Sequence, residues 1–281
     1  MFRKSWVILV FLILIGCLAV GTAGQNAAPI DSTVVESVGT WMDTLPEWDG
    51  TYRRIRVPIL MYHYVSEPPE ASDDTRITLS VTPDMFRAHM QYLFDGGYNP
   101  ISLYQLIDAL RTGAALPVKP VVLTFDDGYT DHFSTVYPVL HQFGFTGTIF
   151  VITGAPDNSA PGYLSWPQIA EMAESSISME NHTRDHIDLR NQDYDTLVYQ
   201  LLGAQESLLA YTGRTPHFVA YPMGFYDEGT LEILRTMPVW GALTTQFGAL
   251  HTTDRALEMS RVRISNETNV AALAALLQTD S

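Results

Sequence analysis

The stretch Val121-Val122-Leu123-Thr124-Phe125-Asp126-Asp127-Gly128 contains the features that decide the fold class. Its first five residues carry no charge and are mostly β-branched or aromatic, which is typical of a strand buried on both faces of a parallel sheet. Two carboxylates follow where the strand ends, and Gly128 permits a sharp turn there. The pattern predicts a buried strand with acidic side chains at its carboxyl end. An Asp-Asp-Gly sequence is also compatible with an ordinary turn in which one Asp caps a helix.

Similar apolar runs recur on both sides of this stretch and alternate with amphipathic segments, which predicts repeated βα units and a mainly parallel sheet. The predicted strands are residues 57–64, 121–125, 146–153, 177–180, 218–221 and 240–244. Helices are predicted after the caps Thr82 and Ser165 and over 103–111, 133–143, 193–211, 228–235 and 268–277. A chain of 281 residues accommodates one α/β barrel and not two full domains.

Closure of these strands into a barrel would bring the residues that follow each strand to one end, where such folds place their chemistry. Polar groups stand at four of the strand ends: His63, the pair Asp126-Asp127, His182 with His186, and Tyr221-Pro222-Met223-Gly224. Ionisable side chains are costly to bury without partners. Their convergence on one mouth therefore predicts a functional site there.

The segment His182-Thr183-Arg184-Asp185-His186 suggests a metal site. Two imidazoles four residues apart can reach a common ion if the intervening residues turn helically, and a carboxylate would complete an N,N,O set with open positions. A His pair at this spacing is more often plain surface decoration. Its occurrence together with Asp-Asp-Gly at another strand end favours the metal site.

The balance of charges excludes one class of partner. Asp and Glu number 31 against 16 Lys and Arg, a formal net charge of -15, and no dense basic block is present. Nucleic acid is therefore not expected as a partner, because phosphate binding needs clustered positive charge. The acidity itself is explained by solubility.

The first residues resemble an export signal. Arg3 and Lys4 precede an apolar run from Trp6 to Val20, and the small residues 21–24 follow. Three outcomes stay open: cleavage near Ala23, retention as a membrane anchor with the body outside, or lipidation at Cys17. Because Cys17 is the only cysteine, a disulfide within the chain and a thiolate site in the body are excluded.

These features predict three segments. Residues 1–24 are a signal peptide or N-terminal membrane anchor, residues 25–55 are a polar linker, and residues 56–281 form the domain. The protein is expected to be exported, and then membrane-anchored on the outer side or secreted. The sequence does not indicate an oligomeric state.

The two motifs Thr124-Phe125-Asp126-Asp127-Gly128 and His182-Thr183-Arg184-Asp185-His186 resemble those of the NodB-type polysaccharide deacetylases, carbohydrate esterase family four. The resemblance covers roughly residues 57 to 275 and is closest to the poly-N-acetylglucosamine deacetylase branch. It implies a distorted (β/α)7 barrel that binds a divalent metal through Asp127, His182 and His186. Zinc is the expected metal, with cobalt, nickel or iron as alternatives.

The resemblance also implies catalytic roles. Asp126 would be the base that takes the proton of the attacking water, and the backbone N–H of Met223 would stabilise the oxyanion. Ala220 stands where the family often has an Arg that pairs with the base, so another partner is needed; Arg261 and Arg263 are the candidates, although either could equally form a salt bridge elsewhere.

The family's C-terminal Leu-x-His motif is absent from residues 265–281, and a different general acid is therefore expected. His63, in Met61-Tyr62-His63, resembles the acid of the poly-N-acetylglucosamine branch, and imidazole suits proton transfer near neutral pH. A buried, hydrogen-bonded His63 is the alternative interpretation. His251 is a weaker candidate for the acid.

Three aromatic residues near the motifs, Tyr129, Tyr221 and Trp240, are candidates for contact with sugar rings, and each could equally belong to the core. For Trp240, which lies in an apolar strand between Val239 and Gly241, packing or a wall of the acetyl pocket is favoured. Loops 66–80 and 154–163 are predicted to shape the substrate groove. The expected activity is N-deacetylation of an extracellular or cell-surface polysaccharide. The alternatives are O-deacetylation of acetylated xylan or a similar polymer, and non-catalytic glycan binding on the same scaffold.

Overall fold

The computed structural model describes residues 44–278, which form ten strands and nine α-helices. The strands are β1 (Arg54–Arg56), β2 (Ile59–Tyr62), β3 (Asn99–Pro100), β4 (Pro120–Phe125), β5 (Gly147–Val151), β6 (Ile177–Asn181), β7 (Phe218–Ala220), β8 (Gly241–Phe247), β9 (Leu250–Thr252) and β10 (Met259–Arg263). The helices are α1 (Asp74–Thr78), α2 (Pro83–Asp95), α3 (Leu103–Thr112), α4 (Tyr137–Phe143), α5 (Gly154–Asp157), α6 (Trp166–Ala173), α7 (Tyr194–Thr212), α8 (Glu228–Thr236) and α9 (Val270–Leu276).

Seven parallel strands close into a barrel. Their order around the ring is β2-β10-β8-β7-β6-β5-β4, and β4 pairs with β2 to complete it. The predicted (β/α)7 barrel is therefore confirmed. The ring is distorted, since β7 has only three residues and the pairing of β10 with β8 shifts in register between Met259 and Arg261.

The helices form where side chains satisfy the backbone N–H groups of their first turns. The Thr82 side chain accepts a hydrogen bond from the Met85 N–H at the start of α2, and Ser102 forms a capping box with Gln105 at the start of α3. The predicted helix 133–143 begins instead with a π-helical turn over His132–Val136 and continues as α4.

The main core lies between the outer faces of the strands and the surrounding helices. Phe86 of α2, Leu140 of α4 and Ile169 of α6 are fully buried in one cluster with Leu123 and Ile149 of the barrel. Truncation of such a side chain to Ala typically costs about 2–5 kcal/mol. This packing holds the strands in fixed register, so their carboxyl ends stand at set positions around the mouth.

The sequence did not predict β10, the seventh barrel strand. It also placed the linker boundary too late, since residues 46–55 pack on the barrel. The Arg111 guanidinium donates to the Pro46 carbonyl at 2.5 Å, the Asp49 N–H donates to the Arg111 carbonyl at 3.1 Å, and Arg54–Arg56 pair antiparallel with β9. Polar, aperiodic residues led to the linker assignment, whereas their hydrogen bonds to α3 and β9 hold them in place.

The predicted signal or anchor, residues 1–24 with Cys17, lies outside the described residues, as does most of the predicted linker. Among residues 44–278, no helix is long and apolar enough to cross a membrane.

Candidate active site and metal centre

A cavity of about 680 Å³ opens at the carboxyl ends of the barrel strands. It brings together residues that are far apart in sequence and that follow β2, β4, β6 and β7. Its lining includes nine of the residues singled out from the sequence: His63, Asp126, Asp127, Tyr129, His182, His186, Tyr221, Met223 and Arg263. The carboxyl ends of a parallel barrel are where its chemistry is expected, and this cavity lies there.

Three side chains in the cavity converge on one point. The Oδ1 atom of Asp127 lies 3.2 Å from Nε2 of His182 and 3.4 Å from Nε2 of His186. One ligand atom from each of the three lies within 4.8 Å of the others, and Asp127 and His182 are buried. Two imidazole nitrogens and one carboxylate oxygen, with the cavity on the open side, fit a divalent transition metal such as zinc.

The hydrogen bonding of His182 fixes the nitrogen that it offers. Its Nδ1 lies 2.7 Å from the Ala220 carbonyl oxygen, which can only accept, so Nδ1 carries the proton and the lone pair of the neutral ring is on Nε2. Burial alone would lower the pKa of His182, but the Asp127 and Asp126 carboxylates outweigh it and the pKa lies above its usual value. Asp127 is held ionised: the nearby His182, His63 and His186 overcome the effect of burial and lower its pKa.

The turn that carries the two histidines is not helical, which corrects the expectation of a helical turn. Thr183 (φ 63°) and His186 (φ 55°) are both in the left-handed region, which is uncommon for a β-branched residue. The Gln200 side chain of α7 holds this turn: its Oε1 accepts from the N–H groups of Arg184 (3.2 Å) and Asp185 (2.9 Å). The strained backbone is thereby fixed with both imidazoles facing Asp127.

Asp126 is 2% exposed and pairs with the fully buried Arg261 of β10. Both guanidinium N–H₂ groups donate to the carboxylate, Nη1 to Oδ1 and Nη2 to Oδ2, each at 2.7 Å. Burial alone would raise the pKa of Asp126, but the charge and hydrogen bonds of Arg261 reverse the effect and the pKa lies below its usual value. Arg261 thus occupies the position next to Asp126 for which the sequence left two candidates.

His63 follows β2 and is 8% exposed. Its Nε2 lies 3.9 Å from Oδ2 of Asp126, and its Nδ1 is buried without a hydrogen-bond partner among the described residues. Within residues 44–278, His63 therefore has no side-chain hydrogen bond that would support the alternative of a structural histidine. Burial, opposed in part by Asp126 and Asp127, lowers the pKa of His63 to about 4, so the resting imidazole is neutral.

Met223 lies in a single 3-10 turn, Pro222–Gly224, at the edge of the cavity. Its φ is 56°, a left-handed conformation that directs the backbone of this turn sharply away from β7. The next residue must be glycine, because a Cβ at position 224 would come within 2.8 Å of the backbone N of Thr245.

The three aromatic candidates are in different environments. Tyr129 lines the cavity, but one face of its ring is stacked on Tyr64 with 3.6 Å between the ring centroids. Tyr221 has no exposed surface; its ring stacks on Tyr226 and its hydroxyl donates to the Leu257 carbonyl at 2.8 Å. Both residues therefore form the cavity wall, and Tyr221 offers no free ring face to a sugar.

The position of Trp240 corrects the suggestion that it contacts sugar rings. It directly precedes β8, at the end of the strand opposite the mouth, and it is 5% exposed. Its ring stacks on His217 with 4.2 Å between the centroids and meets Tyr104 edge to face. The apolar sequence around Trp240 indicated burial correctly, and its place at the start of the predicted strand 240–244 already set it at the end opposite the mouth.

His251 lies away from this cavity, on β9, where its Nε2 is 2.9 Å from the Val57 carbonyl oxygen. Two further lining residues, Tyr64 and Thr245, were not singled out from the sequence, and Arg263 was named there only as a possible partner of the base. Arg76 belongs to α1 within the predicted groove loop 66–80, and its guanidinium lies 3.5 Å from the Tyr64 ring centroid. Residues 73–79 of that loop supply one side of the cavity, whereas loop 154–163 contributes no lining residue.

Comparison with known proteins agrees with this geometry. The family model for polysaccharide deacetylases matches residues 113–240. YxkH of Bacillus subtilis (strain 168), a protein assigned to the polysaccharide deacetylases, is 30% identical over 237 residues, which are 84% of this chain and 81% of that protein. The poly-beta-1,6-N-acetyl-D-glucosamine N-deacetylase of Escherichia coli (strain K12) is 30% identical over 138 residues, 44% of this chain and 20% of that protein.

Among solved structures, the Streptococcus pyogenes deacetylase PplD in complex with acetate is similar to this chain. The two share 28% sequence identity with a TM-score of 0.74, and the match covers 81% of this chain and all (100%) of that one.

Proposed function

Because this chain belongs to the polysaccharide deacetylase family, we propose that it removes acetyl groups from an N-acetylated extracellular or cell-surface polysaccharide in a metal-dependent hydrolysis. The observation that carries the proposal is the placement of Asp126 next to the Asp127-His182-His186 cluster in one cavity. A base and a metal set side by side are what water attack on an acetyl group requires. The Escherichia coli relative, by its name, acts on an N-acetylglucosamine polymer, which supports the amide substrate.

Asp127, His182 and His186 would hold the metal, for which the donor set favours zinc, with cobalt, nickel or iron as alternatives. When bound, a divalent cation supplies Lewis-acid polarisation of the acetyl carbonyl and makes a nearby water more acidic.

Asp126 accepts the proton of the water whose oxygen attacks the acetyl carbon. Arg261 keeps this carboxylate ionised and, through two hydrogen bonds, fixes its orientation. The backbone N–H of Met223 is placed at the cavity edge to donate to the oxygen on which negative charge develops.

His63 completes the proton path. Collapse of the tetrahedral adduct breaks the C–N bond, and the leaving amine must take up a proton as acetate forms. Neutral His63 lies 3.9 Å from Asp126, longer than a direct hydrogen bond, so the proton that Asp126 has taken would reach it through one intervening water before His63 donates it to the amine. An ester leaving group needs less protonation than an amine. Loss of His63 should therefore reduce hydrolysis of amide substrates more than hydrolysis of ester substrates.

We also propose that the protein is exported and attached to the membrane through its first residues. The basic Arg3 and Lys4 ahead of the apolar run Trp6 to Val20 support this location, as does a polymeric substrate outside the cell. Attachment through the apolar segment or through a lipid on Cys17 would both be consistent with that pattern.

The test is acetate release by the full-length protein, in detergent, from N-acetylglucosamine oligomers and from acetylated xylan. We expect release from the oligomers that is lost on chelation and restored by zinc or cobalt. Asp126→Asn should reduce the rate by about 10²–10⁴-fold, the usual contribution of a general base, with metal content unchanged.

The matched control is Asp188→Asn, which changes an exposed carboxylate that pairs with Arg190. It should retain full activity. Release from acetylated xylan alone would replace the amide substrate by an ester. No release from either polymer by protein with stoichiometric metal would reject catalysis and favour a glycan-binding protein.

A further inference from the structure

The cavity contains a guanidinium that the proposed chemistry does not use. Arg263 is the last residue of β10 and lies two residues beyond Arg261. Alternate residues of a strand point to the same side, so both side chains project into the barrel axis region. Arg261 is fully buried, whereas Arg263 is exposed and lines the cavity. The parallel pairing of Arg263 with Met61 sets it beside His63, at the mouth.

Arg263 differs in its partners from the buried Arg261 and from Arg76, the other arginine that lines the cavity. Arg261 is bound on both arms by the Asp126 carboxylate. Arg76 donates to the hydroxyl groups of Ser66 and Ser80 and lies over the Tyr64 ring. By contrast, no carboxylate within residues 44–278 lies within 4.0 Å of the Arg263 guanidinium, although Asp126 and Asp127 act on it at longer range.

A guanidinium in a substrate cavity presents a planar fork of donors whose geometry matches a carboxylate or a phosphate. Asp126 and Asp127 cannot satisfy it, since one is paired with Arg261 and the other faces the two histidines. Since His63 must reach the leaving amine, the position beside His63 is where the reacting sugar and its neighbour in the polymer would lie.

We propose that Arg263 is a specificity-determining residue that binds an anionic group, a carboxylate or a phosphate, on the sugar adjoining the one that is deacetylated. The preferred substrate is then an acidic N-acetylated glycan, and a neutral homopolymer is hydrolysed less efficiently. This inference rests on the proposed function. The net charge of -15 does not oppose it, because at physiological ionic strength charges beyond about 8 Å are largely screened and the direct contact decides.

The experiment compares kcat/KM of the full-length protein on three oligosaccharides of equal length. One is neutral N-acetylglucosamine, one alternates N-acetylglucosamine with a uronic acid, and one carries phosphate esters. We expect one anionic substrate to be preferred. Arg263→Gln should lower kcat/KM for it by about tenfold, mostly through KM, and by much less for the neutral oligomer. Arg263→Lys should restore part of the preference, because it keeps the charge without the fork.

Arg235→Gln, which removes an exposed arginine of α8, is the control and should leave all three values unchanged. Preference for the uronic acid arm would identify a carboxylate and preference for the phosphate arm a phosphate ester. Equal losses on neutral and anionic oligomers in Arg263→Gln, or no anionic preference in the unaltered protein, would overturn the inference while leaving the proposed function intact.

Loss of acetate release from all three would reject the proposed function instead. In that case calorimetric binding of the same oligosaccharides to the unaltered protein and to Arg263→Gln still decides the inference. Tighter binding of an anionic oligomer that disappears in the variant supports it, and equal binding of all three contradicts it.

Discussion

At the scale of single residues, the site contains two adjacent carboxylates with different partners. Asp126 forms an ion pair with Arg261, whereas Asp127 lies with two histidines in a group that could hold a cation. Asp126 is ionised inside the protein only because Arg261 meets it with two hydrogen bonds. Asp127, by contrast, faces two imidazoles whose free nitrogens cannot all be satisfied without a proton or a metal. The two adjacent carboxylates therefore have different environments and can take different roles.

Removal of Arg261 tests the first environment. Arg261→Met leaves the Asp126 carboxylate buried without its partner, and we expect a loss of about 3–5 kcal/mol in the free energy of unfolding. The double variant Asp126→Asn with Arg261→Met should lose less than the two single changes together, since no charge is left unpaired. Urea denaturation measures the free energy of unfolding of the two single variants and of the double variant. Arg235→Met, which breaks an exposed pair with Glu228, should cost less than about 1 kcal/mol. Additive losses in the double variant would contradict the pairing.

Metal affinity as a function of pH tests the second environment. Only a neutral imidazole can coordinate a metal, and the pKa of His182 lies above its usual value. As the pH falls through that raised pKa, protons compete for Nε2, so affinity for zinc or cobalt should fall as the pH is lowered from neutral to acid values. Calorimetry in buffers of different ionisation enthalpy should show proton release on binding. Affinity that stays constant over this range, with no proton released, would show that the ligands are already deprotonated.

At the scale of elements, the turn 182–186 shows where sequence reasoning succeeds and where it fails. The residue types and their spacing predicted that the two histidines meet a carboxylate, and the structure brings both beside Asp127, the carboxylate that the family resemblance implied. The predicted helical turn was wrong, because two histidines four residues apart can also be carried by a turn that contains two left-handed residues. Nothing in Thr183 or His186 marks a positive φ, and the conformation depends on Gln200, which lies on α7.

Gln200 is therefore expected to matter for a site that it does not touch. Gln200→Leu removes the acceptor of the Arg184 and Asp185 N–H groups and should weaken metal binding by about 10–100-fold, as loss of a ligand-orienting contact commonly does. The control is Gln205→Leu on the same helix, which is also buried and whose Oε1 has no partner among the described residues. Titration with cobalt measures both. Equal metal affinities in the two variants would mean that the turn keeps its conformation without Gln200.

Strand β10 was missed for a physical reason of another kind. Ser260-Arg261-Val262-Arg263 alternates charged and apolar residues, which does not resemble a strand buried in a closed barrel. The charge of Arg261 is tolerated there because Asp126, at the end of β4 on the other side of β2, supplies its partner. The same alternation explains why the sequence could not choose between Arg261 and Arg263, since both project to one side and differ only in depth.

At the scale of the whole molecule, six of the seven barrel strands and the residues at their ends were predictable from apolar runs and short motifs. The closure of the ring and the attachment of residues 46–56 were not, because both depend on hydrogen bonds between residues distant in sequence. Arg53 illustrates this: its N–H donates to the Thr253 hydroxyl at 2.9 Å, and its side chain pairs with Asp49. A segment whose sequence resembles a linker is thus held to β9 and α3 by hydrogen bonds.

Removal of this segment tests whether it is a linker or a part of the folded domain. A chain that begins at residue 44 keeps β1 and its contacts, and we expect it to unfold at the same temperature as the full-length protein. A chain that begins at residue 57 loses the β1–β9 pairing and the hydrogen bonds of Asp49 and Arg53, each worth about 1 kcal/mol. Since each 1 kcal/mol shifts the Tm of a domain of this size by about 2–4 °C, its Tm should fall by roughly 5–10 °C. Calorimetry of the three chains measures this, with metal content checked in each; an unchanged Tm in the shortest chain would show that residues 44–56 are a linker after all.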